Sequence, residues 1–273
     1  MIKKYLIIAL GSFVLLPGCK KPTGVTGPLD KTVAYVSFTN VNASAKTVNV
    51  FVDNTQLNNA AAVAPNGTVT GTYLGVYPGD HLLEVKESST AATFFHSNNI
   101  TVAAGNAYSY FVYDTLKTGR FKGILLTSDR KINPASPTSK VRFLNLSPKA
   151  PALDIWLIRR VGAVVKDSLK IFSAVPSLTS VTAPDATALS AYTDVASSLA
   201  AGAAGPGTLV TDYIIRVKLA GTNIIILSPP PPPAPAITLT SPTINLVNGR
   251  TYTFFTRGIF GTSSFGVTTF FNN

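Results

Sequence analysis

Apolar and polar residues alternate with a period of two at many points along the chain, which predicts a protein built from β-strands. Val48, Val50 and Val52 alternate with Thr, Asn and Phe, as in a strand that buries one face. Leu153, Ile155 and Leu157 repeat this pattern further along. Pro-Gly and Asn-Gly steps mark turns between such runs, and the Thr, Val, Tyr and Phe content also favours strands.

The chain contains an internal repeat of about 100 residues per copy. Three blocks recur in the same order, at offsets of 105, 132 and 144 residues, so the second copy differs from the first chiefly by insertions. The matched segments are 36–52 with 141–157, 81–90 with 213–222, and 99–127 with 243–271. Three ordered matches indicate a duplicated structural unit.

Each copy is expected to hold about seven short strands, which is typical of an immunoglobulin-like β-sandwich. In the first copy they are expected near 33–40, 47–53, 69–76, 81–87, 93–102, 107–114 and 121–127. The predicted fold class is therefore all-β, with two tandem immunoglobulin-like β-sandwich domains. Domain 1 is expected over residues 31–128 and domain 2 over 139–273, joined by a Pro-containing linker at 129–138.

Two inserts distinguish the second copy. Residues 183–207 are rich in Ala, Ser and Gly and predict a long loop with a short helix over 191–201. Residues 229–235 are almost all proline, which predicts a stiff, extended segment. Such a segment is more often a rigid loop than a docking ligand.

The first 18 residues have the pattern of a bacterial lipoprotein signal peptide. Two lysines precede an apolar run over residues 5–16, which is shorter than the roughly 20 residues of a membrane span. Leu16-Pro17-Gly18-Cys19 resembles a lipobox, so Cys19 is expected to carry the lipid anchor. Residues 19–30 form a Pro/Gly-rich flexible tether. Lys20 follows the cysteine, at the position where an aspartate would retain a lipoprotein in the inner membrane. By analogy with lipoprotein sorting, an outer-membrane lipoprotein is expected, and the sequence does not indicate whether it faces the periplasm or the exterior.

The segment from residue 141 to 157 resembles the signature of domain-of-unknown-function family 4397, which is found in tandem in bacterial envelope lipoproteins. The matching positions are Val141, Arg142, Phe143, Asn145, Ser147, Pro148, Ala150, Pro151 and Asp154. The first copy departs from the signature at several of these positions. The resemblance implies an immunoglobulin-like sandwich in the cell envelope. It implies no reaction, since the family has no agreed activity.

The sequence offers no constellation of catalytic residues. One cysteine, assigned to lipid, and two histidines are too few for most zinc sites. His81 corresponds to Tyr213 in the second copy, so the repeat does not require an imidazole there. A Gly-x-Ser-x-Gly elbow and a phosphate-binding Gly-rich loop are both lacking in the sequence. We therefore expect no enzyme activity, no cofactor and no metal.

Four residues are candidates for ligand binding. Phe51 and Trp156 share one repeat position, on the face opposite the Val, Leu and Ile stripe. Exposed rings there would stack on sugars, whereas buried rings would belong to a core or a domain interface. Arg159 and Arg160 lie in the more basic second copy, where residues 139–273 carry 11 Lys and Arg against five Asp and Glu.

The expected function is that of a non-catalytic, lipid-anchored cell-envelope protein that acts as a binding or scaffolding module. A carbohydrate- or adhesin-type surface binding protein is the alternative. The expected partners are the membrane, through the lipid anchor, and a glycan or an envelope protein. Nucleic acid is not expected, because the basic residues are not interleaved with aromatic residues in a recognisable binding motif.

Overall fold

A computed structural model describes residues 32–44, 46–58, 61–66, 73–89, 94–116, 121–161, 164–197, 211–226 and 243–272. The segments expected to form a signal peptide (1–18) and a tether (19–30, with Cys19), as well as the proline run over 229–235, lie outside these residues.

The first copy forms two four-stranded sheets. Its strands are β1 (Ala34–Val41), β2 (Val48–Val52), β3 (Thr55–Gln56), β4 (Leu74–Val76), β5 (Gly79–Glu87), β6 (Phe94–Val102), β7 (Ala107–Asp114) and β8 (Phe121–Ser128). One sheet has the order β4-β1-β7-β8 and the other β3-β2-β5-β6. Strands β1 and β7 run parallel, while the other paired strands are antiparallel.

The second copy repeats this topology. Its strands are β9 (Thr138–Leu144), β10 (Leu153–Val161), β11 (Val164–Val175), β12 (Thr193–Ala196), β13 (Thr211–Leu219), β14 (Thr243–Ile244), β15 (Thr251–Arg257) and β16 (Gly266–Phe271). The sheets have the orders β12-β9-β15-β16 and β11-β10-β13-β14, and β9 and β15 form the parallel pair. Each strand occupies the place of the strand eight earlier. The predicted all-β class with two sandwiches is confirmed.

Among the described residues each copy has eight strands, where about seven were expected. In the first copy the additional strand is β3, which follows a tight turn at Asp53 and Asn54. Both turn residues have positive φ, +48° and +65°, a conformation that Asp and Asn tolerate better than most residues. The first two strands lie in opposite sheets, whereas in an antibody constant domain they lie in the same sheet.

The helix expected over residues 191–201 lies earlier in the chain. Helix α1 spans Ala186–Ser190, and Asp185 caps it by accepting hydrogen bonds from the backbone N–H groups of Thr187 and Ala188. Part of the expected helical segment forms β12, which pairs with the edge of β9. The helix therefore forms where Asp185 can cap it, and the alanine-containing segment that follows forms a strand because it pairs with β9.

Each sandwich encloses its own apolar core. Val48, Val50 and Val52 are buried in the first core, and Leu153, Ile155 and Leu157 occupy the equivalent positions in the second. The alternation along β2 and β10 therefore marks the inner face of a sheet, as predicted from the sequence.

A third apolar core lies between the two sandwiches. It joins the outer face of the β4-β1-β7-β8 sheet to the outer face of the β12-β9-β15-β16 sheet. Phe111 of β7 packs edge-on against Phe255 of β15, with ring centroids 5.6 Å apart. All eight residues of β1 are buried, because this strand is covered on both faces. The two copies thus form one packed body.

Candidate functional site

The face of the β11-β10-β13-β14 sheet opposite the core carries Trp156. This residue lies opposite Lys170 of β11 and Arg216 of β13 in the strand register, and it is half-buried. The Nζ atoms of Lys218 and Lys170 lie 4.5 Å and 5.6 Å from its ring centroid. Both ammonium groups therefore lie within cation–π distance of the indole, whose ring face has a negative potential.

The first sandwich presents the same pair of residues. Lys86 Nζ lies 4.3 Å from the ring centroid of half-buried Phe51. Lys86 and Lys218 share one repeat position, as do Phe51 and Trp156, so the aromatic–lysine pair is repeated in both sandwiches. Glu84, which forms an ion pair with Lys86 at 3.1 Å, has Arg216 as its counterpart. The surface around Trp156 is consequently the more basic of the two.

A buried carboxylate supports the Trp156 surface. Asp154 Oδ1 accepts a hydrogen bond from the Ala174 backbone at 2.8 Å, and Asp154 Oδ2 lies 3.3 Å from both the Gly221 nitrogen and Lys170 Nζ. The Ala174 hydrogen bond, followed by those from Gly221 and Lys170, lowers the pKa of Asp154 below its ordinary value. Asp154 therefore stays ionised and holds one of the two lysines beside the indole.

The structure does not bring the two candidate arginines to this surface as a pair. Arg159 lies an odd number of residues from Trp156, so it points to the other face of the sheet. Its Nη2 atom pairs with Asp167 Oδ2 at 2.5 Å, and both side chains are exposed. The side chain of Arg160 is outside the described residues. The cations that contact Trp156 are Lys170 and Lys218 from the neighbouring strands, and the sequence did not indicate that either would reach the indole.

His81 is engaged on both ring nitrogens. Nδ1 lies 2.6 Å from Asp53 Oδ2, and Nε2 lies 2.6 Å from the Tyr77 carbonyl oxygen. Burial disfavours the charged imidazole, but the hydrogen bonds to Asp53 and Tyr77 outweigh it and raise the pKa of His81. An imidazole held between two acceptors has no nitrogen directed at a substrate. The side chain of His96 is outside the described residues.

The polar residues of the family-like segment hold the fold together. Asn145 Nδ2 donates to the carbonyl oxygens of Pro151 and Val175, and Asn145 Oδ1 accepts from Thr256 Oγ1. The Ser147 hydroxyl donates to the Gly258 carbonyl at 2.7 Å. These side chains are buried, and their polar atoms hydrogen-bond the backbone of neighbouring loops. The signature residues therefore stabilise the fold.

Arg142 has a role that the sequence alone did not reveal. It is only 1% exposed, and it lies on the face of β9 that is turned toward the first sandwich. Its Nη1 and Nη2 atoms donate to the Thr127 carbonyl oxygen and to Ser128 Oγ of β8, and its Nε atom donates to Thr253 Oγ1 of β15. The one available signal in the sequence is that this charged residue stands between Val141 and Phe143, two residues of the core.

No group of three or more His, Cys, Asp or Glu residues within the described ranges is arranged to hold a metal ion. Among the same residues, no helix has the length and apolar character needed to cross a bilayer.

Comparison with known families supports the resemblance noted above over part of the chain. No curated protein matches the chain. The model of the family described as "Domain of unknown function (DUF4397)" matches residues 34–156. The match begins with β1 and ends within β10, so it spans the first sandwich and the Arg142 to Asp154 signature of the second. Over those residues the chain is similar to a family whose description names no activity.

Proposed function

We propose that this protein is a non-catalytic, lipid-anchored envelope protein whose two sandwiches form a binding or scaffolding module. The main supporting observation is the repeated aromatic–lysine pair, Phe51 with Lys86 and Trp156 with Lys218, on the sheet faces that the shared core leaves uncovered. Half-buried aromatic rings with polar neighbours are typical of recognition surfaces. The outer faces of the other two sheets, β4-β1-β7-β8 and β12-β9-β15-β16, pack against each other in the shared core.

The Ser147 hydroxyl and the His81 imidazole are hydrogen-bonded within the protein, which favours a non-catalytic role. Ser147 Oγ donates to a backbone carbonyl, and both nitrogens of His81 face acceptors. A nucleophile and a general base need to lie within hydrogen-bond reach of each other and of a substrate. These two groups are instead parts of separate structural contacts.

The anchor in this proposal is a lipid on Cys19, attached by the pattern at residues 16–19. Residues 19–30 would then hold the sandwiches away from the outer membrane, facing either the periplasm or the exterior. Metabolic labelling with a radioactive fatty acid, followed by envelope fractionation, tests the anchor in the wild type and in Cys19→Ala. We expect label and outer-membrane recovery in the wild type only. Unlabelled wild-type protein in the soluble fraction would contradict the anchor.

A carbohydrate- or adhesin-type role is the second candidate, favoured by the contacts of the Trp156 indole with Lys170 and Lys218. Aromatic faces stack on sugar rings, and ammonium groups donate hydrogen bonds to sugar oxygens or acidic groups. A glycan array probed with wild type, Trp156→Ala and Phe51→Ala tests it. Binding by the wild type that is lost in Trp156→Ala supports this candidate, whereas binding equal in all three proteins excludes these rings as the platform.

A further inference from the structure

A cavity of about 620 Å³ lies where the two sandwiches meet. Its lining includes Asn106 from the turn before β7, Thr127 and Ser128 at the end of β8, and Tyr192 from the segment after α1. The cavity therefore draws its walls from both copies of the repeat. Its volume falls in the range of pockets for small ligands, roughly 300–1,000 Å³.

Positive charge dominates the cavity wall. Arg130 and Lys131 line it directly. Arg142 lies immediately behind the wall, since its guanidinium donates to Thr127 and Ser128 and lies 4.9 Å from the ring of Tyr192. Burial lowers the pKa of Arg142, but a guanidinium still remains protonated at neutral pH. Its three hydrogen-bond acceptors are all uncharged, so none of them neutralises it.

The nearby carboxylates only partly offset this charge. Asp129 also lines the cavity, and its Oδ2 atom pairs with Lys140 Nζ at 2.9 Å. Asp194 lies opposite Lys140 in the strand register. Asp185, which caps α1 beside the lining residue Thr187, is a third carboxylate, so the cavity and its immediate surroundings hold four cationic groups against three carboxylates.

Arg130 is held in place by aromatic stacking. The central carbon of its guanidinium lies 4.6 Å from the ring centroid of Tyr73 and 5.7 Å from that of Tyr35. Both tyrosines are buried in the core between the sandwiches. A guanidinium fixed in this way needs little reorganisation to meet an oxyanion, and its planar fork suits a carboxylate.

The rest of the wall suits a hydroxylated ligand. Thr187 of α1 and Asn106 supply hydroxyl and amide groups, while Leu125, three alanines and Tyr192 form the apolar part of the lining. We propose that this cavity binds an acidic sugar, with its carboxylate against Arg130 and Lys131 and its hydroxyls toward the polar wall. The proposal rests on the binding role proposed above and names a ligand class for it, at a site distinct from Trp156.

Calorimetric titration of the full-length lipoprotein in detergent with glucuronate tests this proposal. Glucose is the uncharged control, and inorganic phosphate tests for a site that takes an oxyanion only. We expect saturable binding of glucuronate, none of glucose, and much weaker binding of phosphate. Arg130→Gln should weaken glucuronate binding by about tenfold or more, the effect of losing one charge-assisted hydrogen bond.

Two further variants keep the test independent of folding defects. Lys131 and Ala191 are exposed, so Lys131→Gln and Ala191→Trp leave the core intact. Lys131→Gln should weaken binding severalfold and Ala191→Trp should abolish it by filling the cavity. Lys166→Gln, which removes an exposed cation on β11, should have no effect.

The outcomes separate this proposal from the general binding role. Failure of the wild type to bind glucuronate, equal binding of phosphate, or unchanged binding in Ala191→Trp would each overturn it. Loss of glucuronate binding in Trp156→Ala but not in Ala191→Trp would also overturn it, while supporting the outer-sheet candidate. Cys19→Ala should bind glucuronate as the wild type does, so failure of the lipid anchor is measured separately.

Discussion

The Nη1 atom of Arg142 in β9 donates a hydrogen bond to the carbonyl oxygen of Thr127 in β8, at 2.7 Å. This contact joins the two sandwiches through a charged group that is almost fully buried. Such a group is costly to desolvate and is retained where several hydrogen bonds compensate, here those to Thr127, Ser128 and Thr253. Arg142 is therefore central to the attachment of one copy to the other.

Replacing Arg142 with methionine should lower the free energy of unfolding by about 2–4 kcal/mol, because the Thr127 carbonyl and the buried hydroxyls of Ser128 and Thr253 lose their donor. Urea unfolding followed by circular dichroism measures the change. Arg250→Met is the matched control, since Arg250 is exposed in the turn before β15, and we expect a change within about 0.5 kcal/mol. Equal effects of the two substitutions would show that Arg142 does not couple the sandwiches.

Gly249 should tolerate no side chain. Its φ is +67°, and a Cβ atom there would overlap the backbone of Asn133. Gly221 has a similar φ of +70° but open space around the Cβ position. Gly221→Ala should therefore cost only the left-handed strain of about 1–2 kcal/mol, and Gly249→Ala should cost more. Thermal unfolding of both variants checks the order, and a smaller loss for Gly249→Ala would refute the clash.

Asn145 should be far more sensitive than an exposed asparagine. Its amide makes three hydrogen bonds inside the second sandwich, and the Asn40 amide makes four in the first, with Lys46, Val63 and two nitrogens of Asn42. Asn145→Ala should lower the free energy of unfolding by roughly 2–4 kcal/mol, because buried groups lose their partners. Asn245→Ala, at an exposed position, should be nearly neutral. Denaturant titration of both variants measures the two changes, and equal losses of unfolding free energy would contradict the prediction.

The contact between His81 and Asp53 should make stability depend on pH. The pKa of His81 is raised above its ordinary value of 6.5, so its contribution is complete below that pH and is lost as pH rises through the folded pKa. The pKa of Asp53 is lowered from 3.8, chiefly by the hydrogen bond to His81, so its contribution is lost as pH falls through the folded pKa. Because the Asp53 side chain is 54% exposed, the whole effect should stay below about 1 kcal/mol.

Nuclear magnetic resonance titration of the His81 imidazole measures this directly. Asp53→Asn is the matched variant, because asparagine tolerates the positive φ of +48° at this turn. We expect the pKa of His81 to fall toward its ordinary value in Asp53→Asn. An unchanged pKa would mean that Asp53 does not stabilise the imidazolium.

The strands that bury one face were predictable from sequence, and those that bury two were predictable only in part. Val48, Val50 and Val52 alternate with their neighbours, so the inner face of β2 follows from the period of two. In β7, Tyr110, Phe111, Val112 and Tyr113 are consecutive and all buried. Such a run indicates two covered faces, but it does not say what covers the second. The contact between the copies needed three-dimensional structure.

The candidate site was predictable in its aromatic residues but not in its cations. The repeat placed Phe51 and Trp156 at one position, and the structure places both on the outer sheet face. The sequence offered Arg159 and Arg160 as candidate cations, yet Arg159 lies an odd number of residues from Trp156 and therefore points to the opposite face of the sheet. Lys170 and Lys218 reach the indole through cross-strand register, which depends on the lengths of intervening loops.

The most direct test of the account is equilibrium unfolding of the two sandwiches monitored separately in one sample. Trp156 is the single tryptophan of the chain and reports on the second sandwich by fluorescence. Amide hydrogen exchange in β5 reports on the first. Because a shared core and Arg142 join the copies, we predict coincident transitions in the wild type at the same urea concentration. Two well-separated transitions would contradict a single packed body and, with it, the platform on which the proposed binding module depends.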